Sequence, residues 1–468
     1  MSYGRTVSDW GIANNAASKE SWRVTGTVST ERSVPSDNDP RFHGEPKLMT
    51  EPRDGVPDVI DTLDGFHRYC DALAQGYGPL AADAERASGY RYGHEDWLVQ
   101  FKRQGAGIGL LDPIALGQQG ANWDEFNQAV GDAVWIIHDS LQDLPGFFDI
   151  GMRPLNLFDT EIAARLLGLH RFGLSAATEY YLGITLAKEH SAADWSYRPL
   201  PRDWRDYAAL DVELLIELEE HMTRDLKRQG KMQWAQEEFD YALREGAQPR
   251  KPHPVPWMRI SHITALSHDR QGQAVAKALW EQRDRLARQY DIEPSLLLSD
   301  AAIIEAARKK PHNNREFRAI RSLNERVRIH TGSEQDKMFE RYAPIQRAIK
   351  PSLWKTTIQQ ALALPPSRWP TMPAQHHDVQ TNAPKSMKYW QTHHPNRFET
   401  LQRVRATVAQ IAQDTRTPAE IIIKPQILRN LCWTDRPNDR NVAEFLTEQG
   451  AREWQVHLVA ASVSRAII

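Results

Sequence analysis

Leu80-Ala81-Ala82-Asp83-Ala84-Glu85 ends an apolar run with two carboxylates two positions apart. Alternate side chains of a strand point to one face, so a strand here sets Asp83 and Glu85 on the same side of a sheet. Two such acids are half of a divalent-cation site. Taken alone, they are better read as the solvated edge of a strand, because most exposed acids are just that. Only further acids at suitable places reverse that reading, and the rest of the chain supplies them.

A chain of 468 residues exceeds one typical core, so two or three domains are expected. No run of about 18 apolar residues occurs, and no charged-then-apolar leader opens the chain. Neither a membrane span nor secretion is expected, and the cytoplasm is the expected compartment. Cys70 and Cys432 have no Cys or His neighbours at zinc-ligand spacing, which leaves no disulfide framework and no zinc module. A net charge of -3 gives no whole-chain argument for nucleic-acid binding, which must rest on local basic patches.

Residues 1–55 are poor in apolar periodicity and read as a flexible arm, as in Ser33-Val34-Pro35-Ser36-Asp37-Asn38-Asp39-Pro40. Val59, Ile60, Leu63, Phe66, Cys70 and Leu73 then read as one helical stripe. Trp97 to Phe101 and Gly109 to Leu111 read as strands that form a meander with Leu80 to Glu85. Phe126 and Val130 suggest a helix. Ala133 to His138 reads as a buried strand running into Asp139 to Asp143, and Leu157 to Thr160 as the last strand, before a helix through Leu167. The alternation points to an α/β layer over 56–245. From Trp204, the positions Tyr207, Leu210, Leu214, Leu215 and Leu218 recur at helical spacing, which puts Tyr207 and Asp211 on one face.

Gln248 to Pro256 holds four prolines, and 246–257 reads as a linker. An all-helical domain is expected over 258–340, with Val275, Leu279, Leu286 and Tyr290 on one stripe and Pro294 opening a helix through Ile303 and Ile304. Between Arg250 and Arg328 there are sixteen Lys and Arg against nine Asp and Glu, a basic stretch in an acidic chain. Amphipathic helix continues to about 350, and 341–395 becomes a helical and irregular connection. A last helical domain is expected over 396–468, its order of elements echoing residues 270–330.

Asp83, Glu85, Asp143 and Asp211 each stand at the edge of a predicted buried element. Hard divalent cations take oxygen ligands, so carboxylates on neighbouring strands and one packed helix could hold two ions suited to phosphodiester hydrolysis. With these residues in view, Leu80–Glu85, His138–Leu144 and Tyr207–Asp211 resemble the three exonuclease motifs of the DEDD superfamily, in the subgroup with tyrosine in the third motif. Phe158-Asp159-Thr160, Gly173-Leu174, Tyr181-Leu182-Gly183, then Asp194-Trp195-Ser196 and Arg198-Pro199-Leu200 resemble the ribonuclease D pattern over about residues 57–240. Ala278 to Asp284 and Asp291-Ile292-Glu293-Pro294 look like the helical, nucleic-acid-binding HRDC domain. One departure is Ala84, where several ribonuclease D sequences have Thr, a side chain that points away from the acids on a strand.

The resemblance implies a ribonuclease H-like mixed sheet with helices, followed by all-α HRDC-type domains. It implies two divalent ions, Mg²⁺ or Mn²⁺. Asp83 bridges both, Glu85 and Asp211 complete one, and Asp143 holds the second. Tyr207 orients the attacking water, its phenol being a poor base at neutral pH. The implied activity is 3′ to 5′ removal of nucleoside 5′-monophosphates from structured, tRNA-like RNA. The implied partner is thus an RNA 3′ end, with no membrane partner and a monomer favoured. Alternatives are a DNA 3′ exonuclease and a non-catalytic RNA-binding scaffold. Lys188 and Arg198 are candidates for phosphate contacts, although Arg198 could instead brace Asp194. Asp159 either lies near the ions or caps a buried helix. His138 and Trp280 read as core residues.

Overall fold

The computed structural model of the chain describes residues 44–187, 190, 193–249, 253–323, 342–370, 383–434 and 441–467. Eight strands are present among them: β1 (Lys47–Met49), β2 (Val59–Ile60), β3 (Tyr77–Arg86), β4 (Asp96–Gln104), β5 (Gly107–Leu111), β6 (Val134–Ile137), β7 (Asn156–Asp159) and β8 (Ile184–Leu186). Six of them form a mixed sheet in the order β2-β5-β4-β3-β6-β7. β3, β4 and β5 are the expected antiparallel meander, while β6 and β7 run parallel to β3. This is an α/β exonuclease-type core, and the rest of the described chain is helical.

The period of two in β3 and β4 sorts polar from apolar. Asp83 faces Gln100 and Glu85 faces Leu98, so these four share one side of the sheet. Their neighbours Ala82, Ala84, Val99 and Phe101 turn to the other side, into a core where Phe101, Phe126, Trp135 and Phe147 interlock with ring centroids 4.9–6.1 Å apart. The acidic side is covered by the helix Arg202–Glu213, which brings Trp204, Ala208 and Ala209 against Leu98, Leu110 and Trp195. Two adjacent alanines let this helix approach the strands closely.

Several expectations change. Val59 and Ile60 belong to strand β2, which pairs with Leu110 and Leu111, and the helix starts only at Leu63, capped by the Thr62 side chain. Lys47–Met49 is not part of a loose arm: it pairs in parallel with Ile184–Leu186. Residues 1–43 lie outside the described residues. The stripe from Trp204 to Leu218 is two helices, because Leu214 leaves helical geometry between Glu213 and Leu215. Pro294 opens only a four-residue helix. Leu298 is extended, and Ser299 caps a new helix, Asp300–Lys309. The helix expected over 330–350 is described only from 342.

The echo between the two helical regions is visible in the backbone. The helices Arg270–Tyr290 and Pro395–Thr415 each run 21 residues and end on a left-handed residue, Asp291 (φ 48°) and Arg416 (φ 53°). A four-residue helix follows in each, Pro294–Leu297 and Ala419–Ile422, then a longer one from Asp300 and from Pro425. Both left-handed corners meet the exonuclease core. Asp291 accepts from Arg91 at 2.7 Å, and beside Arg416 the Thr417 hydroxyl donates to the Leu166 carbonyl at 3.3 Å. The second contact is extended by Arg452, which grips Glu238 with two nitrogens, and by Trp454 stacked on Trp234 at 4.8 Å.

Gly168 sits under the Arg416 corner at φ 81°, and a Cβ there would collide with the Arg416 carbonyl oxygen. Gly168→Ala is expected to lower stability by about 1–3 kcal/mol, since it adds left-handed strain to a backbone clash. Chemical denaturation measures the loss, and limited proteolysis should show the residues after 383 released first.

Candidate active site

β3 supplies Asp83 and Glu85, and the covering helix supplies Tyr207 and Asp211, one turn apart. One carboxylate oxygen from each of Asp83, Glu85 and Asp211 lies within 4.8 Å of the others. Asp83 and Asp211 are partly exposed and Glu85 is buried, so the cluster opens to solvent on one side. The Tyr207 hydroxyl donates to Asp211, and its ring packs against Trp195 at 6.1 Å and His190 at 6.2 Å. Lys102 of β4 holds the end of this helix by donating to Glu213 Oε2 and to the Glu213 carbonyl, both at 2.8 Å. The spacing between helix and sheet is thereby fixed by a charge-assisted contact.

Asp143 arrives by a different route. β6 runs parallel to β3 and ends at Ile137, and the turn that follows carries Asp139 at φ 58°. Asp159, at the end of β7, accepts from the Ser140 amide at 2.7 Å and the Asp139 amide at 3.3 Å, and it also caps the helix Thr160–Leu166 through Glu161 and Ile162. Asp159 is therefore the buried anchor of the turn that delivers Asp143. Asp143 is buried and pairs with Arg86 at 2.7 Å. It is not one of the three acids that converge within 4.8 Å.

Arg198 takes a partner that neither reading named: its guanidinium donates to Asp112 at 2.6 Å and to the carbonyls of Trp195, Tyr197 and Trp97. It ties the segment before the covering helix to the sheet. Asp159 is likewise saturated by protein donors. Lys188 lies outside the described residues. His138 is the expected core histidine: it hydrogen-bonds Thr160 at 2.8 Å, and burial pushes its pKa down to about 4. Trp280 packs against the helical core but stays partly exposed.

Two polar residues were not singled out from the sequence. Gln100 is fully buried opposite Asp83 and donates to its Oδ2 at 2.6 Å. Its signal was a single amide inside the apolar run Trp97 to Phe101. Arg86 had a weaker signal, because a charged residue ending a strand is ordinarily solvated.

Burial and mutual repulsion both act on the acids of this cluster. Burial, then the neighbouring Asp211, pushes Asp83 up to about 7. Burial likewise lifts Asp211 to about 7, against the Tyr207 hydrogen bond. Glu85 and Asp143 are raised well above the carboxylate range by burial and then by Asp83. Buried like charges cannot all ionise unless a cation joins them. The residues present fit a hard divalent ion.

Comparison with known proteins agrees with this geometry. Residues 57–227 match the family model of the 3′-5′ exonuclease domain, 272–334 that of the HRDC domain, and 383–467 that of a 3′ to 5′ exonuclease C-terminal domain. A ribonuclease D from Shewanella sp. strain ANA-3 is 30% identical over 229 residues, which is 48% of this chain and 58% of that protein. Over its exonuclease and HRDC segments the chain is similar to ribonuclease D. The aligned part thus spans under two thirds of that curated ribonuclease D. A crystal structure of a protein from Bifidobacterium adolescentis is 71% identical, with a TM-score of 0.84, covering 90% of this chain and all of that one. Escherichia coli ribonuclease D shares the fold at 20% identity and a TM-score of 0.54, over 87% of this chain and 98% of its own.

The raised carboxylates of this site give a signed pH dependence. An acid whose pKa lies higher folded than unfolded stabilises the fold below its unfolded value, about 4, and loses that stabilisation as pH rises through its folded value. For Asp83 and Asp211 the window runs from about 4 to about 7. Stripped of metal, the protein is expected to melt at lower temperature at pH 8 than at pH 5. Mn²⁺ should raise the melting temperature at pH 8 and leave it little changed at pH 5. Asp83→Asn should raise the metal-free melting temperature at pH 8 by relieving repulsion. Scanning calorimetry across pH with and without Mn²⁺ reads all three effects.

Proposed function

We propose that this protein is a metal-dependent 3′ to 5′ exoribonuclease that removes nucleoside 5′-monophosphates from structured RNA. The observation that carries the reading is the convergence of Asp83, Glu85 and Asp211 within 4.8 Å, beside the Tyr207 hydroxyl, on one open side of the sheet. Asp83, Glu85 and Asp211 would hold one divalent ion, and Asp83 with Asp143 a second. Bound there, such ions lower the pKa of water and offset charge on the attacking and leaving oxygens of a phosphodiester.

The chain's own groups do the positioning. Burial and the neighbouring acids raise Tyr207 far above neutral pH, so it stays a phenol. With its O–H donated in a hydrogen bond to Asp211, the hydroxyl keeps lone pairs that accept a hydrogen bond from water and aim that water at phosphorus. Gln100 fixes the rotamer of Asp83, and Asp159 fixes the turn bearing Asp143. Direct attack by water, with release of a 5′-monophosphate, is the chemistry a group of converging carboxylates suits.

Recognition of RNA beyond the reacting nucleotide falls to the helical region. Trp280, Arg285 and Arg288 line an open cleft of about 380 Å³ together with Glu281, Asp284 and Gln289, beside the loop that carries Tyr92, and offer an aromatic face and two guanidinium groups to a nucleic acid. No helix among the described residues is long and apolar enough to cross a membrane.

A 5′-labelled RNA with a single-stranded 3′ end, incubated with Mg²⁺ or Mn²⁺, should shorten as a ladder from its 3′ end, and a 3′-phosphate should block it. Asp83→Asn is expected to cost at least about 1,000-fold in rate, and Tyr207→Phe about 10–100-fold. A matched DNA oligomer, run in parallel, reads the sugar preference. Retained RNA binding without cleavage in either metal would instead support a scaffold.

A further inference from the structure

Arg86 follows Glu85 on β3, and plain alternation would send its side chain to the opposite face. The pairing of β3 with β4 slips at this step. Glu85 faces Leu98, Arg86 faces Asp96, and Trp97 is passed over. A bulge of this kind re-aims a side chain. The guanidinium comes to lie between two buried carboxylates, with Nε 2.8 Å from Asp96 and a terminal nitrogen 2.7 Å from Asp143. That nitrogen also donates to the Gln142 carbonyl at 2.7 Å. Asp96 is packed under the helix Leu144–Ile150 at Gly146, where any Cβ would strike its carboxylate. Arg86 is thus gripped from both sides, and Asp143 already has a cation.

We propose that Arg86 competes with the second divalent ion for Asp143. An ion then enters the Asp83–Glu85–Asp211 group first, and Asp143 takes part only as its guanidinium partner gives way. Three observations converge on this ranking. Asp143 stands outside the group of acids that converge, one of its oxygens is spent on Arg86, and Arg86 adds a positive charge that a second cation must work against. Asp96 modulates the competition, since it holds the same guanidinium from the other side and shares its charge. Arg86 is a positioning residue in this account, acting on metal occupancy through Asp143.

The inference rests on the proposed metal-dependent site, and the test separates the two. Mn²⁺ is titrated calorimetrically into the metal-free full-length chain, and electron paramagnetic resonance reports any spin-coupled pair. The wild type should bind one Mn²⁺ tightly and a second at least about tenfold more weakly. Arg86→Gln should tighten the second ion about tenfold or more and bring the coupled signal in at lower Mn²⁺, while the first ion changes less. Asp96→Asn should act in the opposite direction, leaving Arg86 with Asp143 as its one acidic partner and weakening the second ion. In an Asp143→Asn background the effect of Arg86→Gln on the second ion should vanish.

Damage to the fold would weaken binding in all variants, so the opposed signs distinguish competition from a purely structural role. If Arg86→Gln does not fold, Asp96→Asn decides alone: an unchanged or tighter second ion overturns the proposal. Equal affinity for two ions in the wild type, or weaker second-ion binding in a folded Arg86→Gln, also overturns it and leaves the exonuclease reading standing. A wild type that binds no Mn²⁺ overturns the exonuclease reading itself.

Discussion

Like charge forced together is the constraint from which the rest of this structure follows. Asp83, Glu85 and Asp211 converge, with Asp143 beside them, where burial opposes ionisation, and a neighbouring carboxylate raises the pKa of each. A fold can hold such a group only if its surroundings leave the acids nowhere else to go. Here the surroundings are specific: Gln100 bonds Asp83 across the β3–β4 pair, Lys102 pins the covering helix through Glu213, and Asp159 ties down the turn that brings Asp143. These contacts hold the acids close, and a bound cation would offset their mutual repulsion.

The large elements of this arrangement were legible in the chain. Asp83 and Glu85 at strand spacing, and Tyr207 and Asp211 at helical spacing, each fix a pair of side chains on one face, because backbone periodicity alone decides it. The α/β core followed from apolar runs alternating with helical stripes. What periodicity could not show is which faces meet, and this is where the reading failed or stopped. Arg198 was weighed against Asp194, its near neighbour in sequence, but its partner is Asp112, brought close by the β4–β5 meander. Val59 and Ile60 fitted a helical stripe, yet the free edge of β5 recruited them as a strand. Gln100 and Arg86 gain their roles only from the register of β3 with β4, and for Arg86 from a slip in that register that no spacing rule contains.

The helical regions carry the same lesson at larger scale. Residues 270–309 and 395–433 share an order of long helix, left-handed corner, four-residue helix and further helix, although few side chains agree. Each copy turns its corner toward the α/β core, but through different chemistry: the Asp291 carboxylate with Arg91 in one, and in the other Thr417 donating to the Leu166 carbonyl and Lys231 of the core donating to the Arg416 carbonyl at 3.5 Å. The two corners share their backbone geometry and differ in the side chains that dock them.

The most direct test of the central claim, that the converging acids form a cation site built for hydrolysis at a nucleic-acid 3′ end, is crystallographic. The full-length protein would be crystallised with Mn²⁺ and a nucleoside 5′-monophosphate, and the anomalous signal of manganese mapped. The account expects manganese ligated by Asp83, Glu85 and Asp211, with the phosphate of the monophosphate against it and the Tyr207 hydroxyl directed at the same space. Manganese bound elsewhere, or these acids left protonated and empty at pH 8 beside a bound nucleotide, would contradict it.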